Sequence, residues 1–385
     1  MISTDTALRD TADLVRIDSQ NPGVLEGRCA EWVGNRLTDC GLEVVEQHVD
    51  GARHNLVSQV SGGNGPRLVL LAHMDTVPIG EGWTTGPLDA RISDGKIFGR
   101  GACDMKAGLA VAINTLDWMC HGGATPSGDV VLVATVDEEA PGMMGAHTLV
   151  RSGLLRVDDQ VLALEPTGMR LRIAQMGLRW LNLRVNGRMA HAGRAHLGID
   201  ANHVVARIID RLKTRVAELP HEDQILGRPR LTCGVLTGGV APNVVPPSAN
   251  AQLDMRYVPP MRPDDVIELV ESVTASVISE FPGASFSLDR LGADRPPVRA
   301  ADDSKIVRGL RHAYRSVAGG EIAVGGSDGH EAYTDASMVA ALTGSASCTV
   351  LGPGATDQAH TADEYVPLSD VDLCCRLLSR MLTDW

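Results

Sequence analysis

Acids and histidines stand directly after several short apolar runs in this chain of 385 residues. Uninterrupted apolar runs rich in β-branched residues and leucine predict strands that are buried on both faces of a largely parallel sheet. Because ligands bind beyond the carboxyl ends of such strands, we expect the acids and histidines to converge on one edge of the sheet. The runs are 68–72, 130–136, 161–164 and 349–351, and the residues that follow them are His73, Asp75, Asp137, Glu138, Glu139, Glu165 and His360.

Asp104 is predicted to join this edge by another route. It ends the segment Gly99–Asp104, whose glycines allow a close approach of the backbone. It also directly precedes a helix that we predict from Met105 to Met119, and the start of a helix tolerates a carboxylate.

Two imidazoles and three carboxylates at one edge suit zinc, which binds neutral histidine nitrogen and carboxylate oxygen. If one carboxylate bridges, five side chains supply three ligands to each of two ions and leave room for a shared water. Two such ions activate water and polarise a substrate carbonyl together. Neighbouring side chains near a strand end point differently, so one of Glu138 and Glu139 can bind metal while the other serves as general base. The spacing leaves open which residue takes which role.

Each of these residues also has a simpler structural interpretation. A single histidine after a strand is usually structural, and an acid at a strand end often caps a helix. An isolated run such as Asp137–Glu139 is more often a solvated loop. The placement of all five candidate ligands at one predicted edge is what favours a site.

The order of predicted elements indicates an α/β protein with a second domain inserted into the first. Helical stretches alternate with the apolar runs, which is typical of a mostly parallel sheet. Between residues 180 and 288, alternating apolar and polar residues predict half-exposed strands in the order strand, helix, strand, strand, helix, strand. We therefore predict a catalytic domain of residues 1–179 and 289–385, and an inserted α+β, ferredoxin-like domain of residues 180–288.

Composition narrows the classes of partner. The net charge of −13 opposes nucleic-acid binding, which needs a basic face. No apolar run reaches the roughly 18 residues that a membrane helix needs. The first residues show no basic start followed by an apolar stretch, so we do not expect a signal peptide. The eight cysteines form no C-x-x-C pair and are predicted to be reduced, which favours a cytoplasmic location.

Together these motifs resemble a family of di-zinc hydrolases that contains acetylornithine deacetylase, succinyl-diaminopimelate desuccinylase and the zinc-dependent glutamate carboxypeptidase. The resemblance runs from Asn21–Pro22 to Tyr365. The joint match is specific, although no single motif is. The motifs are His73–Pro78, Gly99–Gly108, Asp137–Glu139, Glu165–Thr167 and Gln358–Tyr365.

The resemblance implies two zinc ions, for which Co²⁺ or Mn²⁺ could substitute. Asp104 would bridge the two ions. His73 and Glu165 would complete the ligands of one ion, and Glu139 and His360 would complete those of the other.

The resemblance also separates the catalytic residues from the ligands. Glu138 would be the general base, and Asp75 would orient the imidazole of His73 and so select its tautomer. A cis peptide bond is expected between Asp104 and Met105.

The inserted domain resembles the family's lid, which also mediates dimerisation, so a homodimer is expected. His191, in Gly187–Gly193, would reach the active site, often from the partner subunit, and stabilise the oxyanion; its simpler interpretation is an exposed loop histidine. Asn243 and Arg256 would grip a substrate carboxylate, which suits a guanidinium fork, although Arg256 could equally be a surface salt-bridge partner. The amide of Gly354 is a further candidate carboxylate contact.

The sequence departs from the family pattern at a few positions. The family usually has Pro at the position of Ala195 and Asn at that of Asp200, both in the predicted lid. Near the carboxyl terminus, Ser327–Gly329 and Thr334–Ala336 both resemble the family's substrate loop. The spacing to the following glycine-rich turn favours the second, so Thr334 is the predicted substrate contact.

The predicted function is hydrolysis of the amide bond of an N-acyl amino acid or a related amide with a free carboxylate. A carboxypeptidase or dipeptidase that releases a C-terminal amino acid is the nearest alternative, since it would use the same site. Glu165 disfavours an aminopeptidase, because the family commonly has Asp there in aminopeptidases. A homologue that binds metal or ligand without catalysis is a third hypothesis, and the intact Glu138 argues against it.

Overall fold

The computed structural model describes residues 1–325 and 332–385, and the chain divides into two compact units. Unit 1 comprises Met1–Ala174 and Arg299–Trp385, and unit 2 comprises Gln175–Val298. The insertion therefore extends further in both directions than the predicted range 180–288. The physical reason is that its first and last long strands, Gly177–Asn186 and Ser285–Arg295, begin earlier and end later than their alternating patterns indicate.

The helices and strands of the described residues are numbered in chain order. The α-helices are α1 (Thr4–Val15), α2 (Gly27–Asp39), α3 (Ala107–Cys120), α4 (Met144–Arg151), α5 (Ala201–Ala217), α6 (Pro263–Ile278), α7 (Lys305–Ala318), α8 (Asp335–Thr343) and α9 (Leu368–Thr383). The strands are β1 (Val44–Asp50), β2 (Arg53–Val60), β3 (Leu68–His73), β4 (Arg91–Ser93), β5 (Lys96–Phe98), β6 (Val130–Thr135), β7 (Gln160–Ala163), β8 (Ala174–Gln175), β9 (Gly177–Asn186), β10 (Ala190–His191), β11 (Arg230–Gly238), β12 (Val244–Val245), β13 (Ser248–Tyr257), β14 (Ser285–Arg295), β15 (Val298–Arg299), β16 (Cys348–Val350) and β17 (Tyr365–Pro367).

Unit 1 is built on a mixed sheet whose central strands are parallel. Among the described residues its strand order is β1-β2-β6-β3-β7-β16. β3 runs parallel to both β6 and β7, and β16 runs parallel to β7. Every residue of β3, β6 and β7 is buried, as continuous apolar strands of a covered parallel sheet should be. The predicted α/β class is confirmed, and the antiparallel pair β1–β2 is an addition that the sequence analysis did not single out.

A small three-stranded sheet, with the order β17-β5-β4, holds two loops of unit 1 together. Cations lie over its few aromatic rings: the Lys96 ammonium is 3.7 Å from the centroid of Tyr365, and the Arg91 guanidinium is 4.5 Å from that of Phe98. Such contacts stabilise by about 0.5–1 kcal/mol each when exposed. In this sheet Phe98 pairs with Tyr365, so the residues just before Gly99 lie beside those just after Glu364.

Unit 2 is an α+β unit with an antiparallel sheet in the order β11-β13-β9-β14. Its core includes Leu181 and Leu183 of β9 together with Val204 and Ile208 of α5. The main elements follow the predicted order of strand, helix, strand, strand, helix, strand. Asp200, one of the departures from the family pattern, caps α5 by accepting a hydrogen bond from the N–H of His203 at 3.1 Å. Asp and Asn are equally good at this position, so the change is neutral for the helix.

None of the helices in residues 1–325 and 332–385 combines the length and the apolar character that crossing a membrane requires.

Arg53 of β2 is the buried cation that holds α2 to the end of β6. Its guanidinium pairs with both carboxylate oxygens of Glu26 and donates to Asp137 Oδ1 at 2.8 Å. The Arg53 side chain is only 13% exposed, and those of Glu26 and Asp137 are 2% and 5% exposed. We expect Arg53→Met to lower the free energy of unfolding by about 3–5 kcal/mol, because it leaves buried carboxylates without their cation.

Urea unfolding of the Arg53→Met and Arg16→Met proteins measures this difference. Arg16 pairs with Asp13 at 2.9 Å, but both side chains are about half exposed. Loss of such a surface pair should change stability by only about 0–1 kcal/mol. Equal effects of the two substitutions would contradict the role given to Arg53.

Candidate metal centre

Three predicted ligands lie at the carboxyl ends of adjacent parallel strands. His73 is the last residue of β3, Glu139 lies in the loop after β6, and Glu165 follows β7. Since β6 and β7 flank β3 in the sheet, their ends meet at one edge. Asp104 comes from the segment before α3 and His360 from the loop after β16.

The first group of candidate ligands is His73, Asp104 and Glu165. His73 Nε2 lies 3.1 Å from Asp104 Oδ1 and 3.6 Å from Glu165 Oε2. The His73 side chain is 1% exposed, so this group is sealed from solvent on its histidine side.

The second group is Asp104, Glu139 and His360. His360 Nε2 lies 3.0 Å from Glu139 Oε1 and 3.4 Å from Asp104 Oδ2. Asp104 thus presents one carboxylate oxygen to each group. The His360 side chain is 51% exposed, so this side of the cluster is open to solvent.

Burial and like charge disturb the ionisation of the cluster. Burial raises the pKa of Glu165 to about 8, and burial together with the Glu165 carboxylate raises the pKa of Glu138 well above its ordinary value. Burial also opposes the charge of Asp104, but hydrogen bonds with His360 and His73 outweigh it and hold the pKa of Asp104 below its ordinary value. The two imidazoles therefore neutralise only part of the negative charge that the site would carry.

The donor set fits divalent cations. In each group the candidate ligand atoms all lie within 4.8 Å of one another. Ligands held about 2.0–2.2 Å from a tetrahedral zinc ion are roughly 3.3–3.6 Å apart, and the separations given above range from 3.0 to 3.6 Å. Nitrogen and carboxylate oxygen are the ligands that zinc prefers.

Asp75 connects the histidine of one group to the acids of the loop after β6. His73 Nδ1 donates to the backbone oxygen of Asp75 at 2.9 Å and lies 3.6 Å from its Oδ1, which leaves Nε2 facing the ligand group. The Asp75 carboxylate accepts from the N–H groups of Glu138 and Glu139 at 3.3 and 3.1 Å, and from Asn21 Nδ2 at 2.9 Å. The same carboxylate thereby orients both neighbouring glutamates.

The segment that carries Asp104 is irregular. Asp104 (φ −118°, ψ 97°) and Met105 (φ −132°, ψ 35°) have non-helical backbone angles, so α3 begins at Ala107 and not at Met105 as predicted. The peptide bond between Asp104 and Met105 is cis, in agreement with the expectation.

The predicted lid residues all lie in unit 2. His191, at the end of β10, is exposed, and its Nδ1 accepts from the N–H of Gly193 at 3.0 Å. Asn243 is exposed nearby, where its backbone oxygen accepts from the N–H of Ala192 at 2.9 Å. Arg256 of β13 pairs with both carboxylate oxygens of Asp254, at 2.8 and 3.0 Å, so it does form a salt bridge. The roles of these residues toward a substrate stay predictions.

Two further predicted contacts belong to unit 1. The N–H of Gly354 donates to Asp370 Oδ2 at 3.2 Å, so a protein carboxylate already uses this amide. Thr334 is buried at the start of α8, where it caps the helix. The alternative segment Ser327–Gly329 lies outside the described residues, so the choice between the two segments stays open.

Sequence reasoning missed the roles of Asn21 and Glu364. Asn21 Nδ2 donates to Asp75 Oδ2 and also to Asp137 Oδ1, at 2.9 and 3.1 Å. The Glu364 carboxylate accepts hydrogen bonds from the Asp104 segment. Glu364 lies in the matched motif Gln358–Tyr365, where it was a polar residue without an assigned role, and Asn21 lies at the start of the resembling stretch.

The chain is similar over most of its length to several known proteins. The chain is 25% identical to a probable succinyl-diaminopimelate desuccinylase of Staphylococcus epidermidis over 393 aligned positions, which cover 95% of the chain and 94% of the relative. It is 30% identical to acetylornithine deacetylase of Myxococcus xanthus over 351 positions, which cover 89% and 85%. Its fold matches the M20 family metallo-carboxypeptidase of Sulfolobus solfataricus with a TM-score of 0.82, at 17% identity and 98% coverage of both chains.

The family comparison covers most of the chain. Residues 69–384 match the model of peptidase family M20/M25/M40, whose members are metal-dependent. With two relatives that are named as a desuccinylase and a deacetylase, this match confirms the predicted resemblance. The chain belongs to peptidase family M20/M25/M40 and is a hydrolase that acts on amide bonds.

Proposed function

We propose that the chain hydrolyses the amide bond of an N-acyl amino acid, or of a related amide with a free carboxylate, with two zinc ions as cofactors. Co²⁺ or Mn²⁺ could replace zinc. The observation that carries the proposal is the pair of ligand groups that share the two oxygens of Asp104. The names of the two relatives, a desuccinylase and a deacetylase, support N-acyl substrates.

The proposed ligands divide as the two groups do. His73 and Glu165 would hold one ion, Glu139 and His360 would hold the other, and Asp104 would bind both. When bound, such ions supply Lewis-acid polarisation of the carbonyl and lower the pKa of water.

Glu138 is the proposed general base. Its side chain is partly buried, and burial together with the Glu165 carboxylate raises the pKa of Glu138, which makes its ionised carboxylate a stronger proton acceptor. It would accept the proton of the attacking water at its carboxylate and pass it to the leaving amine. The Asp75 carboxylate holds the backbone of both glutamates through their N–H groups.

The residues of unit 2 are proposed to recognise the substrate. Because Nδ1 of His191 accepts a hydrogen bond, its Nε2 carries the proton and is the atom that could donate to an oxyanion. Asp254 engages Nε and Nη2 of Arg256 among the described residues, so Nη1 is the nitrogen that we propose for a substrate carboxylate. Asn243 of unit 2, and Gly354 and Thr334 of unit 1, are proposed as further substrate contacts.

Replacing Glu138 by Gln tests the proton-transfer role. We expect Glu138→Gln to bind metal as the wild type does but to lose turnover by about 10²- to 10⁴-fold, the usual contribution of a general base. Metal analysis and steady-state kinetics measure the two quantities separately. The exposed Glu43 provides the control, since Glu43→Gln should retain full turnover. Substantial turnover in the Glu138→Gln protein would remove this residue from the mechanism.

Metal removal and a substrate panel test the reaction itself. We expect N-acetyl and N-succinyl amino acids to be hydrolysed. Analogues whose free carboxylate is converted to an amide should react more slowly, because they lose the charge that a guanidinium would bind. A chelator should abolish turnover until Zn²⁺ is restored. The measurement is amine release with and without chelator. Faster cleavage of C-terminal amino acids from peptides would instead indicate a carboxypeptidase or dipeptidase. Metal binding without turnover on any substrate would indicate a non-catalytic homologue.

We also propose that the chain forms a homodimer through unit 2. β11 lies at one edge of the four-stranded sheet, and an edge strand offers unpaired backbone groups to another chain. Apolar side chains of this region are exposed, with Val235, Leu236 and Val240 at 42%, 55% and 82%.

A charged substitution on this edge tests the dimer. We expect Leu236→Lys to produce a folded monomer, because a buried lysine without a partner opposes association. Light scattering after size-exclusion chromatography measures the mass. Val157→Lys is the control, since Val157 is 62% exposed but lies in unit 1. A wild-type monomer, or a Leu236→Lys dimer, would contradict this interface.

A further inference from the structure

Glu364 is a buried acid that contacts the segment carrying Asp104. Its side chain is 1% exposed. Glu364 Oε1 accepts from the N–H groups of Cys103 and Asp104 at 2.9 and 3.0 Å. Oε2 accepts from the N–H of Gly101 at 3.1 Å and from Arg100 Nη1 at 2.5 Å. One carboxylate thus satisfies three backbone N–H groups and one cation.

These N–H groups need an acceptor from outside their own segment. Gly101 has the left-handed angle φ 82°, and Asp104 has non-helical angles, so regular helical hydrogen bonds do not form here. α3 begins only at Ala107, downstream of all three N–H groups. Buried backbone donors without partners are costly, at about 1–3 kcal/mol each. The carboxylate of Glu364 therefore supplies the acceptors that this irregular backbone lacks within its own segment.

The position of Glu364 is itself fixed from several sides. Its backbone oxygen accepts from the N–H of Gly99 at 2.9 Å, next to the pairing of β17 with β5. Arg100, its charge partner, also donates from Nη2 to the backbone oxygen of Ile79 at 3.0 Å and lies 5.2 Å from the ring centroid of Trp83. The position of the carboxylate is thus fixed by Arg100 and by the pairing of β17 with β5 as well as by the three N–H groups.

We propose that Glu364 is the positioning residue for Asp104, and that metal affinity in both ligand groups depends on its carboxylate. This inference rests on the proposed function, because it takes Asp104 to be the shared ligand. Glu364 also follows His360 in the same loop, so it ties the backbone of one ligand to that of another. Its charge matters as much as its shape, because all four of its partners are donors.

Replacing Glu364 by Gln removes that charge with little change in volume. Whichever way the amide is turned, its NH₂ group faces at least one N–H donor, so Asp104 loses part of its support. We expect Glu364→Gln to bind Zn²⁺ and Co²⁺ about 10- to 100-fold more weakly, the usual effect of losing a residue that supports a ligand. We also expect the visible spectrum of bound Co²⁺ to change.

Asp363 offers a matched control in the adjacent position. Its carboxylate accepts from the N–H and the hydroxyl of Thr84, both at 2.9 Å, and so it too supports a loop. Its φ of 54° is tolerated by Asn. Asp363→Asn should therefore keep the metal affinity and the Co²⁺ spectrum of the wild type.

The experiment titrates Zn²⁺ and Co²⁺ into the chelator-treated full chain by calorimetry, with the Co²⁺ spectrum and amide hydrolysis recorded in parallel. Wild-type affinity and spectrum in Glu364→Gln would overturn the inference while leaving the proposed function intact. Weakened binding in Glu364→Gln, with no hydrolysis by the wild type, would support the inference and remove the proposed function. A wild type that binds no metal would overturn both.

Circular dichroism decides whether the variant is folded. If Glu364→Gln does not fold, the same titration is made on Glu364→Asp, which keeps the charge but reaches fewer of the N–H groups. Weaker metal binding by the folded Glu364→Asp protein would support the positioning role. Unchanged affinity in that protein would overturn it.

Discussion

Mutual repulsion among buried carboxylates is the constraint to which unit 1 is adapted. Burial raises the pKa of Glu165 to about 8 and, with neighbouring charge, raises those of Glu138 and Glu139. Two imidazoles, from His73 and His360, offset only part of this cost. The donor set therefore favours cations at this edge of the sheet more than it favours an empty cluster of acids.

The acids around the cluster differ from those within it in their hydrogen-bond and ion-pair partners. Asp75 and Glu364 are saturated by backbone N–H groups, and Glu26 and Asp137 share the guanidinium of Arg53. Hydrogen bonds and ion pairs of this kind favour the charged form of a carboxylate, and at Glu364 they offset part of the burial that raises its pKa. The supporting acids are thereby fully occupied, whereas the candidate ligands face mainly one another and the imidazoles.

Close backbone packing places these groups at one edge. A Cβ atom added at Gly108 of α3 would lie 2.0 Å from the backbone oxygen of Leu164, and one added at Gly352 would lie 2.3 Å from the same oxygen. Helix α3 and the turn after β16 therefore press against the chain directly before Glu165, and a larger residue at either glycine would displace them. The resulting cluster is asymmetric, because His73 is 1% exposed and His360 is 51% exposed.

The sequence by itself determined the α/β class, the insertion, the family and the types of residue at the sheet edge. Local periodicity and the carboxyl ends of parallel strands suffice for the class, the insertion and the sheet edge, and the continuous apolar run 68–72 is an example. The family followed from the joint resemblance of several motifs. The tertiary structure decided which atoms meet: Asp104 turns one oxygen to each histidine, Asp75 holds both glutamates, and α3 starts only at Ala107. The contact of Glu364 with Cys103 joins residues 261 positions apart. No local pattern encodes such a hydrogen bond, because it forms only once strands and loops that are distant in the chain have packed together.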